Sequence, residues 1–241
     1  MRLRERNDIK LPMKMIPYSR QDINESDIKA VARVMRSPWL TQGPTVERFE
    51  KAIARKVGAK FAIAFNSGTA ALHAAYFAAG IRKGDEVIVP ALTFAATANA
   101  ALYLGATPVF ADSDMQNGNM SVADVRKKIT DKTKAIVPVD YGGRPAALGE
   151  FRALAKKHKL VFIEDAAQAL GASYRGKPVG TQADMTMFSF HPVKSITTGE
   201  GGVIATNSKK YARTLRLFRS HGISKDASTF VKRGRGGWYQ E

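Results

Sequence analysis

The sequence contains no cysteine, which excludes disulfide staples, thiolate metal sites and a cysteine nucleophile. No apolar run approaches the roughly 20 residues needed to span a bilayer. The basic opening MRLRERNDIK lacks the apolar core of a signal peptide, so a cytoplasmic location is expected and no membrane partner. Histidines number four, and the spacings of His73, His158, His191 and His221 fit no metal site, so no metal is expected. Acidic residues are also few: 21 Asp+Glu against 38 Lys+Arg leave a net charge of +17. That excess would suit polyanions. Much of it sits at the two ends, however, from Arg2 to Lys14 and from Lys209 to Arg235, and the lone RGRGG run (Arg233 to Gly237) has no second copy. Solvated helix faces and a small anionic ligand account for it better than nucleic acid.

What is present describes a globular chain. With 44% hydrophobic residues over 241 positions, it can bury a sizeable core. Residues 1–15 form a basic extension without periodicity. Asn24 is a candidate cap for a helix with Ile28, Val31 and Met35 on one face. The SPWLTQGP segment (Ser37 to Pro44) breaks it, and a second helix carries Val46, Phe49, Ile53 and Val57. Both apolar stripes are expected in the core.

From Lys60 onward strands and helices alternate. Strands are expected at Phe61 to Phe65, Glu86 to Pro90, Thr107 to Ala111, Ala135 to Val139, Leu160 to Glu164, Met185 to Phe190 and Gly202 to Thr206. Between them lie a small-residue helix opened by NSGTAALH, a helix capped by Thr93 and running through Leu104, one with a Ser121/Asp124 capping box, and one over Ala147 to His158. Repeated βα units with continuous apolar strands give an α/β fold, an about seven-stranded, mostly parallel sheet sandwiched by helices.

In such sheets ligands gather beyond the carboxyl ends of the strands. Asp184 to Thr206, reading DMTMFSFHPVKSITTGEGGVIAT, places one lysine, Lys194, in a loop between two strands. Ser189 stands five residues before it, and Gly199, Gly201 and Gly202 follow. An amine that loses solvation on such a platform can serve as a nucleophile, as in Schiff-base chemistry. Alone, in a chain with 38 Lys+Arg, the stretch reads better as a surface lysine in a glycine-rich hairpin. Asn66, Ser67, Gly68 and Thr69 lead into a helix N-terminus suited to phosphate. Asp165 ends a strand, either as a helix cap, with Gln168 as its N3 partner, or as a site carboxylate. Phe94 follows Thr93 at another strand-to-helix junction, in the core or over a ligand. As a set they suit pyridoxal phosphate. Lys194 supplies the amine and Asp165 the partner of the ring nitrogen. Gln168 meets the phenolic oxygen, Ser189 with Gly68 and Thr69 holds the phosphate, and Phe94 stacks on the ring. His191 lies beside Ser189, able to touch cofactor or substrate.

The segments NSGTAALH, VPALTFAATANA, IEDAAQALGASYRGKPVG, FSFHPVK and TGEGG closely resemble the DegT/DnrJ/StrS family of nucleotide-sugar aminotransferases. That resemblance implies the large domain of the type I pyridoxal-phosphate aminotransferase fold over residues 16–241. The family's smaller C-terminal domain would be absent, leaving a fragment, a split product or a truncated gene product. It also implies Lys194 as the catalytic lysine that carries the cofactor. YSRQDINESDIKAV, WLTQGP, VPVDYGG and LFRSHGI are most similar to the pseudaminic-acid branch of the family. The implied reaction moves an amino group from glutamate to the 4-keto position of a UDP-linked 4-keto-6-deoxy-N-acetyl hexosamine, in a homodimer. Tyr18, Trp39, Leu40, Thr41, Ser67 and His191 would then border the nucleotide-sugar. Lys194 argues against the related sugar dehydratases, which carry another residue there; a non-catalytic binding protein of the same fold remains an alternative.

Overall fold

Seven strands make the sheet on which the rest is built: β1 (Phe61–Phe65), β2 (Glu86–Pro90), β3 (Thr107–Ala111), β4 (Thr133–Ile136), β5 (Val161–Asp165), then, past a two-residue hairpin of β6 (Ser173–Tyr174) and β7 (Lys177–Pro178), β8 (Met185–Ser189) and β9 (Gly202–Thr206). This is a computed structural model, and it describes residue 17, residues 19–224 and residues 239–240. The basic extension over 1–15, Tyr18 and the RGRGG run lie outside the described residues. The spatial order is β1-β9-β8-β5-β4-β2-β3. Only β9 opposes its neighbours, pairing antiparallel with both β1 and β8, while β8-β5, β5-β4, β4-β2 and β2-β3 pair in parallel. Six carboxyl ends therefore open onto one edge.

Helices cover both faces, which is why β8 and β9 are buried along their whole length. On one face α3 (Gly68–Ala78), α4 (Ala96–Leu102) and α7 (Lys209–Arg219) pack on Ile63, Val87, Ile163, Met185 and Ile204. On the other, α5 (Val122–Lys128) and α6 (Leu148–His158) cover Ile88, Ile136 and Phe162. Beside them α2 (Pro44–Val57) sets Ile53 and Val57 against Phe188 and Val203.

The remaining helix, α1 (Glu25–Met35), begins where its sequence says it should. Asn24 accepts from the backbone of Ser26, and Asp27 reaches back to the Asn24 N–H, a reciprocal box. Its apolar stripe is not core. Ile28, Val31 and Met35 are all more than half exposed. Periodicity identifies an apolar face but not what covers it.

Three local expectations also need correction. The fourth strand ends at Ile136 rather than Val139. Pro138 has no N–H to continue the ladder, which resumes as one bridge between Val139 and Asp165. The Ser121/Asp124 box is only half made. Ser121 accepts from the Asp124 N–H, but the Asp124 carboxylate turns to the Asp112 N–H and to Lys128. Thr93 does not cap α4, which starts at Ala96; its hydroxyl meets Thr97 instead.

Candidate active site

The carboxyl edge of the sheet collects the polar groups. Asp165, the last residue of β5, is only 4% exposed. Its Oδ2 accepts from the Thr97 hydroxyl at 2.7 Å and its Oδ1 from the Ala167 N–H at 3.2 Å. Burial pushes this carboxyl above the ordinary aspartate range, while Thr97, Ala167 and the charge of Lys194 pull it back down. Three donors or charges thus favour the anion that burial penalises. No helix follows Asp165: residues 166–171 form turns, so its side chain caps a turn and not a helix. Gln168 is accordingly no N3 partner. Its Oε1 accepts from the Gly142 N–H at 2.8 Å, which leaves the amide NH2 as a donor.

Thr97 was not singled out by sequence reasoning, although a signal was there. Thr93 and Thr97 lie four apart in TFAATANA, a spacing at which one turn of chain brings two side chains together. Their hydroxyls are 3.0 Å apart. With the Thr97 proton directed to Asp165, Thr93 is the donor of that pair. Beneath them the fully buried Tyr76 donates to the Thr97 carbonyl at 2.8 Å, and burial, then the Asp165 charge, push its phenol well up.

Three strands over, β1 delivers the chain to Ser67, which caps α3 by accepting from the Ala70 N–H at 3.1 Å. The next two N–H groups, of Gly68 and Thr69, have no partner within the helix. A Cβ on Gly68 would lie 3.1 Å from Ser189 Cβ and 3.2 Å from its Oγ, so the β1–α3 turn and the end of β8 meet side by side. Gly202 makes this possible. A Cβ there would stand 2.3 Å from the Ser67 carbonyl oxygen, well inside any real contact.

Lys194 lies in the loop joining β8 to β9, partly buried. The loop is braced internally: the Lys194 N–H donates to the His191 carbonyl, and the Thr197 hydroxyl and Thr198 N–H both donate to the Phe190 carbonyl. The His191 N–H reaches Ser189 Oγ at 3.4 Å, and its ring lies 3.8 Å from the Glu200 carboxylate. Phe94 is not core; at 80% exposed it stands free at the same edge.

The structure thus brings together Ser67, Gly68, Thr69, Ser189, Asp165, Gln168, Lys194 and His191. Trp39, Leu40 and Thr41 form a separate exposed group at the start of α2. Because Glu50 of α2 accepts from the Ala64 N–H, and Phe49 packs its ring on Phe190, that loop sits toward the carboxyl ends of β1 and β8. Tyr18 lies outside the described residues. Among the described residues no acidic, histidine or cysteine cluster could hold a metal, and no helix is long and apolar enough to cross a membrane.

Comparison with known proteins converges on one family. The model of the DegT/DnrJ/EryC1/StrS aminotransferase family matches residues 21–238. The UDP-4-amino-4-deoxy-L-arabinose–oxoglutarate aminotransferase of Shewanella sediminis is 41% identical over 220 residues, 91% of this chain and 56% of that protein. Among solved structures, Helicobacter pylori PseC, an aminotransferase of pseudaminic-acid biosynthesis, superposes with a TM-score of 0.84 at 38% identity, over 93% of this chain and 59% of its own. The PLP form of Spr1654 from Streptococcus pneumoniae gives 0.83 at 32% identity, over 88% and 59%. The chain therefore spans somewhat over half the length of these relatives.

Proposed function

Because the chain belongs to the DegT/DnrJ/EryC1/StrS aminotransferase family, we propose that it is the cofactor-binding part of a pyridoxal-phosphate aminotransferase acting on a nucleotide-linked keto-sugar. The observation that carries this reading is the gathering at one sheet edge of a buried carboxylate, Asp165, held by Thr97, and a helix N-terminal turn at Gly68 lying against Ser189. The fit to the cofactor is chemical as well as spatial. A phosphate needs N–H groups with no other partner, a pyridinium nitrogen needs an anion, and Gly68, Thr69 and Asp165 present these at one edge.

In the proposed site the Gly68 and Thr69 N–H groups and the Ser189 hydroxyl hold the phosphate, helped by the dipole of α3. Asp165 faces the ring nitrogen, the Gln168 NH2 donates to the ring oxygen, and Phe94 covers the ring. Bound there, pyridoxal phosphate supplies the electron sink that makes the α-carbon of an amine acidic. Lys194 Nζ would be the amine that holds the cofactor and, once freed by the amino donor, would be the base that takes up the proton from the donor Cα. Lys194 lies in a loop anchored by both strands, so its backbone stays fixed while the side chain changes partners.

The substrates proposed are glutamate and a UDP-linked 4-keto-6-deoxy-N-acetyl hexosamine of the pseudaminic-acid type, aminated at C4. This rests on the likeness to PseC. Trp39, Leu40, Thr41, Ser67, His191 and Tyr18 are the proposed borders of the nucleotide-sugar, in a cytoplasmic homodimer. The test is amino transfer from glutamate to the keto-sugar with pyridoxal phosphate present. Formation of 2-oxoglutarate together with the amino sugar is expected. Cofactor binding with no amino transfer to any nucleotide-linked keto-sugar would overturn the proposal.

A further inference from the structure

On the face of the sheet opposite the Asp165 side chain two acids are buried together. Val139 and Asp165 are bridge partners and point the same way. Asp140 and Glu164, each one residue out of that register, share the opposite face. Both are fully buried. Asp140 Oδ1 accepts from the Ala146 N–H at 2.9 Å, and Glu164 Oε2 accepts from the Thr186 hydroxyl at 2.8 Å. Their other oxygens, Asp140 Oδ2 and Glu164 Oε1, are buried without a donor among the described residues. Two buried carboxylates cannot both hold a charge side by side without a large cost. One proton placed between the two orphaned oxygens satisfies both at once.

We propose that Asp140 and Glu164 share a proton and that this pair latches the 140–146 turn, making Asp140 and Glu164 positioning residues for Gln168. The turn carries the latch to the site. Asp140 opens it, donating its N–H to the Asp165 carbonyl and holding Ala146 at the far end. Between them Gly142 (φ 63°) gives its N–H to Gln168 Oε1. Gly143 (φ 82°) passes so close to Gln168 that a Cβ would lie 2.7 Å from its carbonyl oxygen. Asn119 clamps the same turn from outside, accepting from the Tyr141 N–H and donating to the Arg144 carbonyl. Gln168 is therefore aimed by a turn whose footing is the acid pair.

The charged groups facing the pair set the direction of its titration. Burial raises both acids, Asp140 to about 7 and Glu164 well above its usual range. The two carboxyls act on each other, Asp165 across the sheet raises Asp140 further, and the charge of Arg152 from α6 lowers Glu164. The folded chain thus keeps a proton that the unfolded chain has already lost. Stability from the pair is full below the ordinary carboxylate range and is lost as pH rises through about 7.

The inference rests on the proposed function only for what Gln168 contacts; the latch is read without ligand. Hydrogen exchange of the Gly142 amide, as a protection factor, is measured from about pH 6 to about pH 8.5 for the wild type, Glu164→Gln and Asp140→Asn. Either amide supplies a permanent donor between the two oxygens. Wild-type protection is expected to fall about fivefold from pH 6 to 7 and to level off above that, as linkage to one proton released near pH 7 requires, and each variant's to change by less than about twofold. Pyridoxal phosphate affinity should weaken over the same range in the wild type and stay level in the variants. A flat wild-type profile, or variants with the wild-type slope, would overturn the latch. Should the variants lose only the pH dependence of overall stability, with Gly142 protection unaltered, the pair would be structural and not positioning. If Gly142 behaves as stated but no form binds pyridoxal phosphate, the latch stands and the proposed function fails.

Discussion

Replacing Thr97 with Val removes one hydroxyl from the candidate site while keeping its shape. That hydroxyl is the closest donor to Asp165, at 2.7 Å, and both side chains are buried. A hydrogen bond to a charged acceptor contributes about 1.5–3 kcal/mol. The backbone carbonyl of Thr97, which receives the Tyr76 phenol, is untouched. Without the hydroxyl the Asp165 carboxyl, already raised by burial, rises further. For an acid raised in the folded state, stability is present at low pH and lost as pH climbs through the folded value. The deficit of Thr97→Val against the wild type should therefore be smaller at about pH 4.5 than at about pH 8, approaching about 1.5–3 kcal/mol where Asp165 carries its charge. Urea unfolding at the two pH values measures it, and Thr97→Ser should restore most of the loss. An equal deficit at both values would refute the reasoning, because the hydroxyl would then be stabilising something other than an ionised carboxylate.

Asp165→Asn should leave pyridoxal phosphate bound but cut turnover by orders of magnitude, since a neutral amide no longer holds the ring nitrogen protonated; a turnover assay at saturating cofactor checks this, and an unchanged rate removes Asp165 from the chemistry. Gly202→Ala drives a methyl into the Ser67 carbonyl. Thermal unfolding should show a loss of about 1–3 kcal/mol, and a titration should show weaker cofactor binding, as the β1–α3 turn is pushed from β9. Glu50→Ala strips a mostly buried guanidinium, Arg219, of its carboxylate partner, leaving it the Ala64 carbonyl, and strips the Ala64 N–H of its acceptor. Breaking such a pair costs about 3–5 kcal/mol, to be read by denaturant unfolding; a loss below 1 kcal/mol would mean water replaces the carboxylate at Arg219.

The fold was largely legible because its evidence is local. Strand limits at Phe61–Phe65, Glu86–Pro90, Thr107–Ala111 and Gly202–Thr206 follow from apolar runs bounded by Gly, Asn or charge, and the structure keeps them unchanged. What depends on neighbours was harder to read. The Ile28-Val31-Met35 stripe has the period of a core helix, yet burial is a property of what lies opposite. Asp165 could be a helix cap until the turn after it was seen, and Gln168 could not be paired with Gly142 from spacing, as 26 residues separate them. Thr97 meets Asp165 across 68 residues, a contact that only the strand order creates. The acid pair was invisible for the same reason: nothing in VPVDYGG or IEDAAQ says that two strands place Asp140 and Glu164 on one face.

The central claim is that Lys194 carries the cofactor. Incubation with pyridoxal phosphate, reduction with borohydride and peptide mapping by mass spectrometry tests it most directly. The account predicts a single reduced adduct on the peptide containing Lys194, lost in Lys194→Ala while the thermal unfolding midpoint stays near that of the wild type. No adduct, or one spread over surface lysines and unchanged in Lys194→Ala, would contradict it.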